Sequence, residues 1–187
     1  MKGTFEAEQA LYAFNKECVP RPIAWGNCHN NPTRHFYLCE FVEMKDEIPE
    51  PSAWAAAVAR LHINSRGKSP SGYFGFPVDT HLADVRIDNS WCSSWRKFWA
   101  QQMTGLFIKE EQTNGPNREL AALRQAFFDK AIPRYLGPLE SEGRSVIPTL
   151  IHSDLWPGNI KPRVCDQSSA SVCMFDACAY WGHNEGL

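Results

Sequence analysis

Apolar residues first recur at helical spacing in residues 4–14, where Ala7, Leu11 and Phe14 share one face; the pattern predicts a helix capped by Thr4. The run Val19-Pro20-Arg21-Pro22 ends it, because proline donates no backbone N–H and clashes with the preceding turn. Apolar runs at Ile23–Trp25 and Phe36–Val42 flank a turn-rich Asn27–Thr33 segment and predict two strands of a hairpin. Glu43 to Pro51 is polar, holds two prolines and reads as a connector between two lobes. Ser52 is then expected to cap an alanine-rich helix reaching about Ile63, with Trp54, Val58 and Leu61 on one face.

Residues 64–90 mix Gly, Pro, Ser and Asp and predict mostly loop. Trp91, Trp95, Phe98, Trp99 and Leu106 follow at helical spacing, a stripe that reads as packed core rather than as a ligand box. A further helix is expected near Asn117–Ala131, burying Leu120, Leu123 and Phe127. Val146–His152 and Ser171–Asp176 are short apolar runs ending in His or Asp, and they predict strands. Helices interspersed with short strands point to an α+β fold.

The chain of 187 residues suits one compact domain or part of a larger one. Its formal charge of -2 exerts no general pull on nucleic acid or acidic membranes, so neither partner is expected. No apolar run approaches the roughly 18 residues of a membrane span, and the first residues lack the apolar core of a signal peptide. Seven cysteines, Cys165 among them, form no C-x-x-C pair and read as reduced thiols. A cytoplasmic location is expected. Cys173, Cys178 and His183 match no compact zinc spacing.

Chemistry concentrates in His152-Ser153-Asp154-Leu155-Trp156-Pro157-Gly158-Asn159. Within a kinase catalytic loop of the form H-R-D-L-x-x-x-N, the Asp accepts the proton of the attacking hydroxyl and the Asn binds Mg²⁺. One tight loop must aim both groups, which is why the spacing matters. Phe175-Asp176 then ends a second strand, where the same plan places its other metal carboxylate. A lone H-x-D is common, and a strand-end Asp is usually a turn cap. Together they point to phosphotransfer. Elsewhere bland readings win: His62 reads as a packed, hydrogen-bonded residue, and His29 and His35 as solvated. Trp156 either meets a substrate or packs on Trp181.

Ile151-His152-Ser153-Asp154-Leu155-Trp156-Pro157-Gly158-Asn159, Phe175-Asp176 and Tyr180-Trp181-Gly182-His183-Asn184-Glu185 resemble the fructosamine/ketosamine-3-kinase family, with its H-G-D-L-W-x-G-N, F-D-P-A and Y-G-H-x-E motifs. Leu155-Trp156 and Tyr180-Trp181-Gly182-His183 set the chain apart from aminoglycoside and choline kinases. Pro20-Arg21-Pro22-Ile23, Cys39-Glu40-Phe41-Val42, Leu61-His62, Phe74-Gly75-Phe76 and Asp88-Asn89-Ser90-Trp91 fall in family order, and the spelling Leu-Trp-Pro-Gly-Asn resembles fungal members.

The resemblance implies a protein-kinase-like fold of the aminoglycoside-phosphotransferase type, and ATP-dependent phosphorylation of the sugar 3-hydroxyl of protein-bound ketoamines. The unstable product sheds its sugar, which repairs glycation. Substrates would be glycated protein lysines or small ketoamines, with ATP and Mg²⁺ required. Asp154 would be the base, and Asn159 and Asp176 the metal ligands. Glu40, Phe41 and Val42 would form the hinge meeting adenine, and Glu8 would match the glutamate that pairs with the phosphate-binding lysine. Residues 1–46 would be a remnant of the small nucleotide-binding lobe, and 47–187 the large catalytic lobe, incomplete at its C-terminal end.

Departures accompany the match. No lysine-bearing strand or Gly-rich loop precedes Glu8, Ser153 stands where the family has Gly, and Ala83-Asp84-Val85-Arg86 departs from Gly-x-x-Pro-Gln. The chain is therefore expected to be truncated at both ends, with little activity alone and apolar surface exposed near Trp181 and along Trp91–Trp99. A catalytically dead remnant or pseudokinase acting as a binding protein is the alternative.

Overall fold

Lys2–Asn15 forms the first helix, α1, which buries Gly3, Ala7, Glu8, Leu11 and Asn15. It starts earlier than expected: Met1 occupies the cap position without a side-chain bond, so Thr4 lies inside the helix rather than capping it. The computed structural model describes residues 1–164 and 171–186. Cys165 lies outside the described residues; the other six cysteines are free thiols. Antiparallel strands β1 (Pro22–Cys28) and β2 (Asn31–Cys39) pair Trp25 with Tyr37 and Gly26 with Phe36. Both run further into the turn than the apolar runs suggested, because cross-strand bonding carries polar residues too. Glu40–Val42 consequently lie beyond the strand.

The connector is tied down by backbone bonds, from Val164 N–H to Glu43 O (3.0 Å) and from Lys45 N–H to Pro162 O (2.9 Å). Helix α2 (Pro51–Ser65) opens with Glu50 at its cap and Pro51 in its first turn, so Ser52 is not the cap. Proline tolerates that position, since its missing N–H would have had no helical partner. Ala57 and Leu61 are buried on this helix, while Trp54 and Val58 are half-buried. The region expected as loop contains a short hairpin, β3 (Thr80–Leu82) with β4 (Val85–Ile87).

Helix α3 (Trp95–Asn114) buries Trp95, Phe98 and Gln102. Ser94 caps it by accepting from Lys97 N–H, and Trp91 lies outside the helix, 37% exposed. The next expected helix is interrupted. Asn117 caps α4 (Arg118–Ala126), a π turn spans Phe127–Ala131, and α5 (Ile132–Leu136) follows. Pro133 supplies the physical reason: without an N–H it cannot complete the α ladder one turn back, and the chain widens locally instead. Nor does α4 bury the predicted residues. It has no buried residue, and Leu123 is 60% exposed. Leu123 thus adds exposed apolar surface here, whereas Trp181 and Trp95, where exposure was expected, are buried and only Trp91 of that stripe is exposed.

Four short strands finish the fold. β5 (Thr149–Ile151) pairs antiparallel with β8 (Tyr180–Gly182), and β6 (Ile160–Pro162) with β7 (Val172–Met174). Leu11, Leu61, Phe98, Leu150, Ile151, Met174 and Trp181 meet in one core beneath them. Trp181 and Gly75 exchange two backbone bonds of 3.0 and 2.8 Å. Gly75 has φ +131°, and a Cβ there would lie 2.6 Å from Asn89 O, so only glycine permits the approach. The core thus delivers the ends of β5 and β7 side by side.

Candidate active site

His152 follows β5 and is buried. Its Nδ1 accepts from Asp154 N–H (3.3 Å), so Nε2 carries the proton and donates to Phe175 O (3.0 Å). Burial pushes its pKa down to about 4, against the Phe175 carbonyl, which favours the charged form. A neutral imidazole therefore ties the loop after β5 to the residue following β7. Ser153 has φ +62°, the left-handed conformation that glycine adopts freely; holding serine there costs on the order of 1 kcal/mol.

Asn159 is the hub. Its amide nitrogen donates to Asp154 O (2.9 Å), to Asp154 Oδ2 (3.0 Å) and, at the limit of bonding, to Asp176 O (3.4 Å). Its backbone N–H closes the turn on Trp156 O (2.9 Å), and its carbonyl accepts from Phe175 N–H (3.0 Å). The indole of Trp156 lies over Gly158, where a Cβ would fall 2.2 Å from the ring. Trp156 itself is 59% exposed, and Trp181 packs edge-on against Phe14 instead.

Asp154 is half-buried and Asp176 exposed. Burial raises the Asp154 pKa; the Asn159 bond opposes this, and the Asp176 charge adds to it. A carboxylate so placed is a stronger base than one in water. Asp176 also has a positive φ of 58°, which turns the chain sharply at the end of β7.

Glu8 reaches this turn from α1. Its Oε1 accepts from Ala177 N–H (3.0 Å), whereas Oε2 is buried with no hydrogen-bond partner. Burial lifts its pKa to about 7, backbone bonding from Ala177 works against the rise, and the Asp176 charge reinforces it. Asp154, Asn159, Asp176 and Glu8 are thus brought together. Glu40, Phe41 and Val42 form a separate strip: Glu40 Oε2 accepts from Arg21 N–H (3.1 Å), and Phe41 is 90% exposed. Among the described residues no hydrogen bond joins that strip to Asp154, Asn159 or Asp176.

Sequence reasoning missed a buried polar chain behind the site. Gln102 Nε2 donates to Asn89 Oδ1 (3.4 Å), Asn89 Nδ2 to Thr80 Oγ1 (2.8 Å), and Thr80 Oγ1 to Cys178 O (3.4 Å). Cys178 N–H in turn donates to His152 O (3.1 Å). Asn89 stood in a noted motif, but nothing in the spacing marked Gln102. His62 also differs from expectation, since its buried Nε2 has no hydrogen-bond partner and burial lowers its pKa.

Among the described residues no group of three or more His, Cys, Asp or Glu side chains could hold a metal alone. Asn159 and Asp176 nevertheless offer the hard oxygen donors that suit Mg²⁺, an ion that keeps waters and shares phosphate oxygens rather than needing a full protein cage. The donor set fits that ion. Cys173 and Cys178 are poor ligands by comparison, since burial pushes their thiols up to about 12 and about 11.

A family model described as fructosamine kinase matches residues 2–186. A chloroplastic protein-ribulosamine 3-kinase of Oryza sativa subsp. japonica is 30% identical over 191 residues, covering 97% of this chain and 50% of the relative. The crystal structure of a candidate fructosamine-3-kinase from Thermobifida fusca YX-ER1 has a TM-score of 0.71 at 21% identity, covering 98% of this chain and 56% of its own. One from Haemophilus somnus 129PT has a TM-score of 0.63 at 23% identity, covering 97% and 56%. These structures bear on the fold, which is α+β and kinase-like. The chain spans about half the length of the curated relatives it matches.

Proposed function

The chain belongs to the fructosamine kinase family, and from that premise we propose that it phosphorylates the sugar 3-hydroxyl of protein-bound ketoamines, fructosamine or ribulosamine, using ATP, as a step of deglycation repair. The observation that carries this reading is the convergence of Asp154 and Asp176 on the single amide of Asn159. Asp154 takes the hydroxyl proton as the oxygen bonds to the γ-phosphorus of ATP; the bond to the β-phosphate oxygen breaks and ADP leaves. Asn159 and Asp176 would hold Mg²⁺, which would neutralise phosphate charge. His152 stays neutral and keeps the loop in register. Glu40–Val42 meet adenine as a hinge between a small lobe (1–46) and a large lobe (47–187), and Trp156 offers the sugar an exposed ring face.

Among the described residues no helix is long and apolar enough to cross a membrane. The six free thiols support a reducing compartment, and we place the reaction in the cytoplasm.

The alternative reading is a nucleotide-binding relative without turnover. An assay of phosphorylated ketoamine separates the two. Turnover that falls about 10²-fold or more in Asp154→Asn supports the kinase, given the usual contribution of a positioned base. Nucleotide binding without turnover in the parent supports the second reading.

A further inference from the structure

A cavity of about 120 Å³ lies beside Ser153, the residue preceding the proposed base. Its walls come from separate parts of the chain: Ile87 of β4, Trp99, Met103 and Leu106 of α3, and Tyr180 of β8. None of its lining side chains carries a charge. Gln102, only 6% exposed, has its amide engaged by Asn89, and the hydroxyls of Ser153 and Tyr180 are the other polar groups among the lining residues. Cys178 also lines the cavity, and its thiol feels the charges of Asp154 and Asp176. The cavity thus reaches the residues that adjoin the two carboxylates in the chain, Ser153 before Asp154 and Cys178 two after Asp176. Larger hollows of about 500 Å³ on α3 and α4, around Phe107 and Leu120, involve none of the site's residues.

Sugar hydroxyls would be poorly served by this lining, because each one buried without a partner is costly. An apolar group is served well. An engineered cavity of about 150 Å³ lined by apolar residues holds benzene, so this one suits a slightly smaller group such as a four-carbon chain.

We propose that this cavity receives the apolar substituent on the amine nitrogen of the ketoamine, the four-carbon stem of a glycated lysine being the natural case. The inference rests on the ketoamine-kinase reading and adds a selectivity to it. With the acceptor hydroxyl at Asp154, the sugar lies across the catalytic loop, and its amine end turns toward α3. The wall of α3 is held in register by the chain Gln102–Asn89–Thr80–Cys178, so the cavity and the carboxylates keep a fixed relation.

The test is calorimetric titration of the full chain, with a non-hydrolysable ATP analogue and Mg²⁺ present, using two ribulosamines that differ only in the amine. One derives from n-butylamine and the other from ethanolamine. Each buried methylene is worth about fourfold, so the butyl compound should bind about tenfold tighter or more. Leu106→Asp places a charge in the cavity and Met103→Trp fills it; both residues are half-buried, so neither change empties the core. Either folded variant should lose the preference while binding the ethanolamine compound within about twofold of the parent. Equal binding of both compounds by the parent overturns the cavity assignment alone, as does an equal loss for both compounds in the two variants. Binding of neither compound by the parent overturns the ketoamine reading and the assignment with it.

Discussion

Asn159 organises the loop after β5 more than either aspartate, because one amide nitrogen serves Asp154 twice and Asp176 once. Its own conformation is held by backbone bonds to Trp156 and Phe175, so the arrangement precedes any ligand. This preorganisation is what electrostatic catalysis needs. Asp176 permits a sharp test of its proposed metal role. Its positive φ would strain alanine, whereas asparagine tolerates that region. Asp176→Asn should leave the melting curve nearly unchanged and weaken Mg²⁺-nucleotide binding more than binding of metal-free nucleotide. Equal weakening of both in calorimetry would remove Asp176 from the metal site.

At the scale of elements, α3 shows how distant chain completes a local signal. Ser94 accepts from Lys97 N–H at the start of α3, but Glu140 does most of the capping. Its carboxylate accepts from Ser94 Oγ (2.9 Å), Trp95 N–H (2.7 Å) and Arg96 N–H (3.0 Å). It also places negative charge at the positive end of the helix dipole. Glu140→Ala should cost about 1–2 kcal/mol in urea unfolding, as lost caps do. Glu140→Gln, which keeps an acceptor, should cost less. Nothing near Ser94 in sequence marks residue 140, since the partner comes from the segment after α5. The same limit explains α4, where the apolar spacing of Leu120, Leu123 and Phe127 was legible but what covers a face is not a local property. Leu123→Ser should accordingly change stability by less than about 0.5 kcal/mol, in line with exposed positions.

Across the whole molecule, two buried titratable groups pull stability in opposite directions with pH. Glu8 binds its proton more tightly in the fold, with its pKa moved from 4.5 to about 7, so its stabilising contribution is complete below pH 4.5 and is lost as pH rises to about 7. His152 moves from 6.5 to about 4; its contribution is complete above pH 6.5 and is lost as pH falls through about 4. Between about pH 4.5 and 6.5 the slopes oppose each other, and these two groups together leave stability nearly flat. Glu8→Gln keeps an acceptor for Ala177 N–H while removing the titration. Relative to the parent it should be neutral at pH 4 and more stable at pH 8 by about 3 kcal/mol, from the size of the Glu8 shift. Denaturant unfolding at the two pH values checks this, and an equal effect at both would exclude buried ionisation of Glu8.

The grouping of Asp154, Asn159 and Asp176 was readable along the chain, because a tight loop is a short contiguous device. His152, Asp154 and Asn159 must sit at set spacing to share one turn, and Asp176 must end a strand. The stripes of α1 and α3 and the α+β class were readable too, since periodicity marks the face a helix offers for burial. Other features depend on residues far apart in sequence. Glu8 meeting the turn after Asp176, Glu140 capping α3, the cavity between α3 and β8, and the Gln102–Asn89–Thr80–Cys178 chain each join separate segments. A hydrogen bond or a cavity wall needs two surfaces at a given distance, and local spacing specifies only one of them. Packing around the common core sets the other.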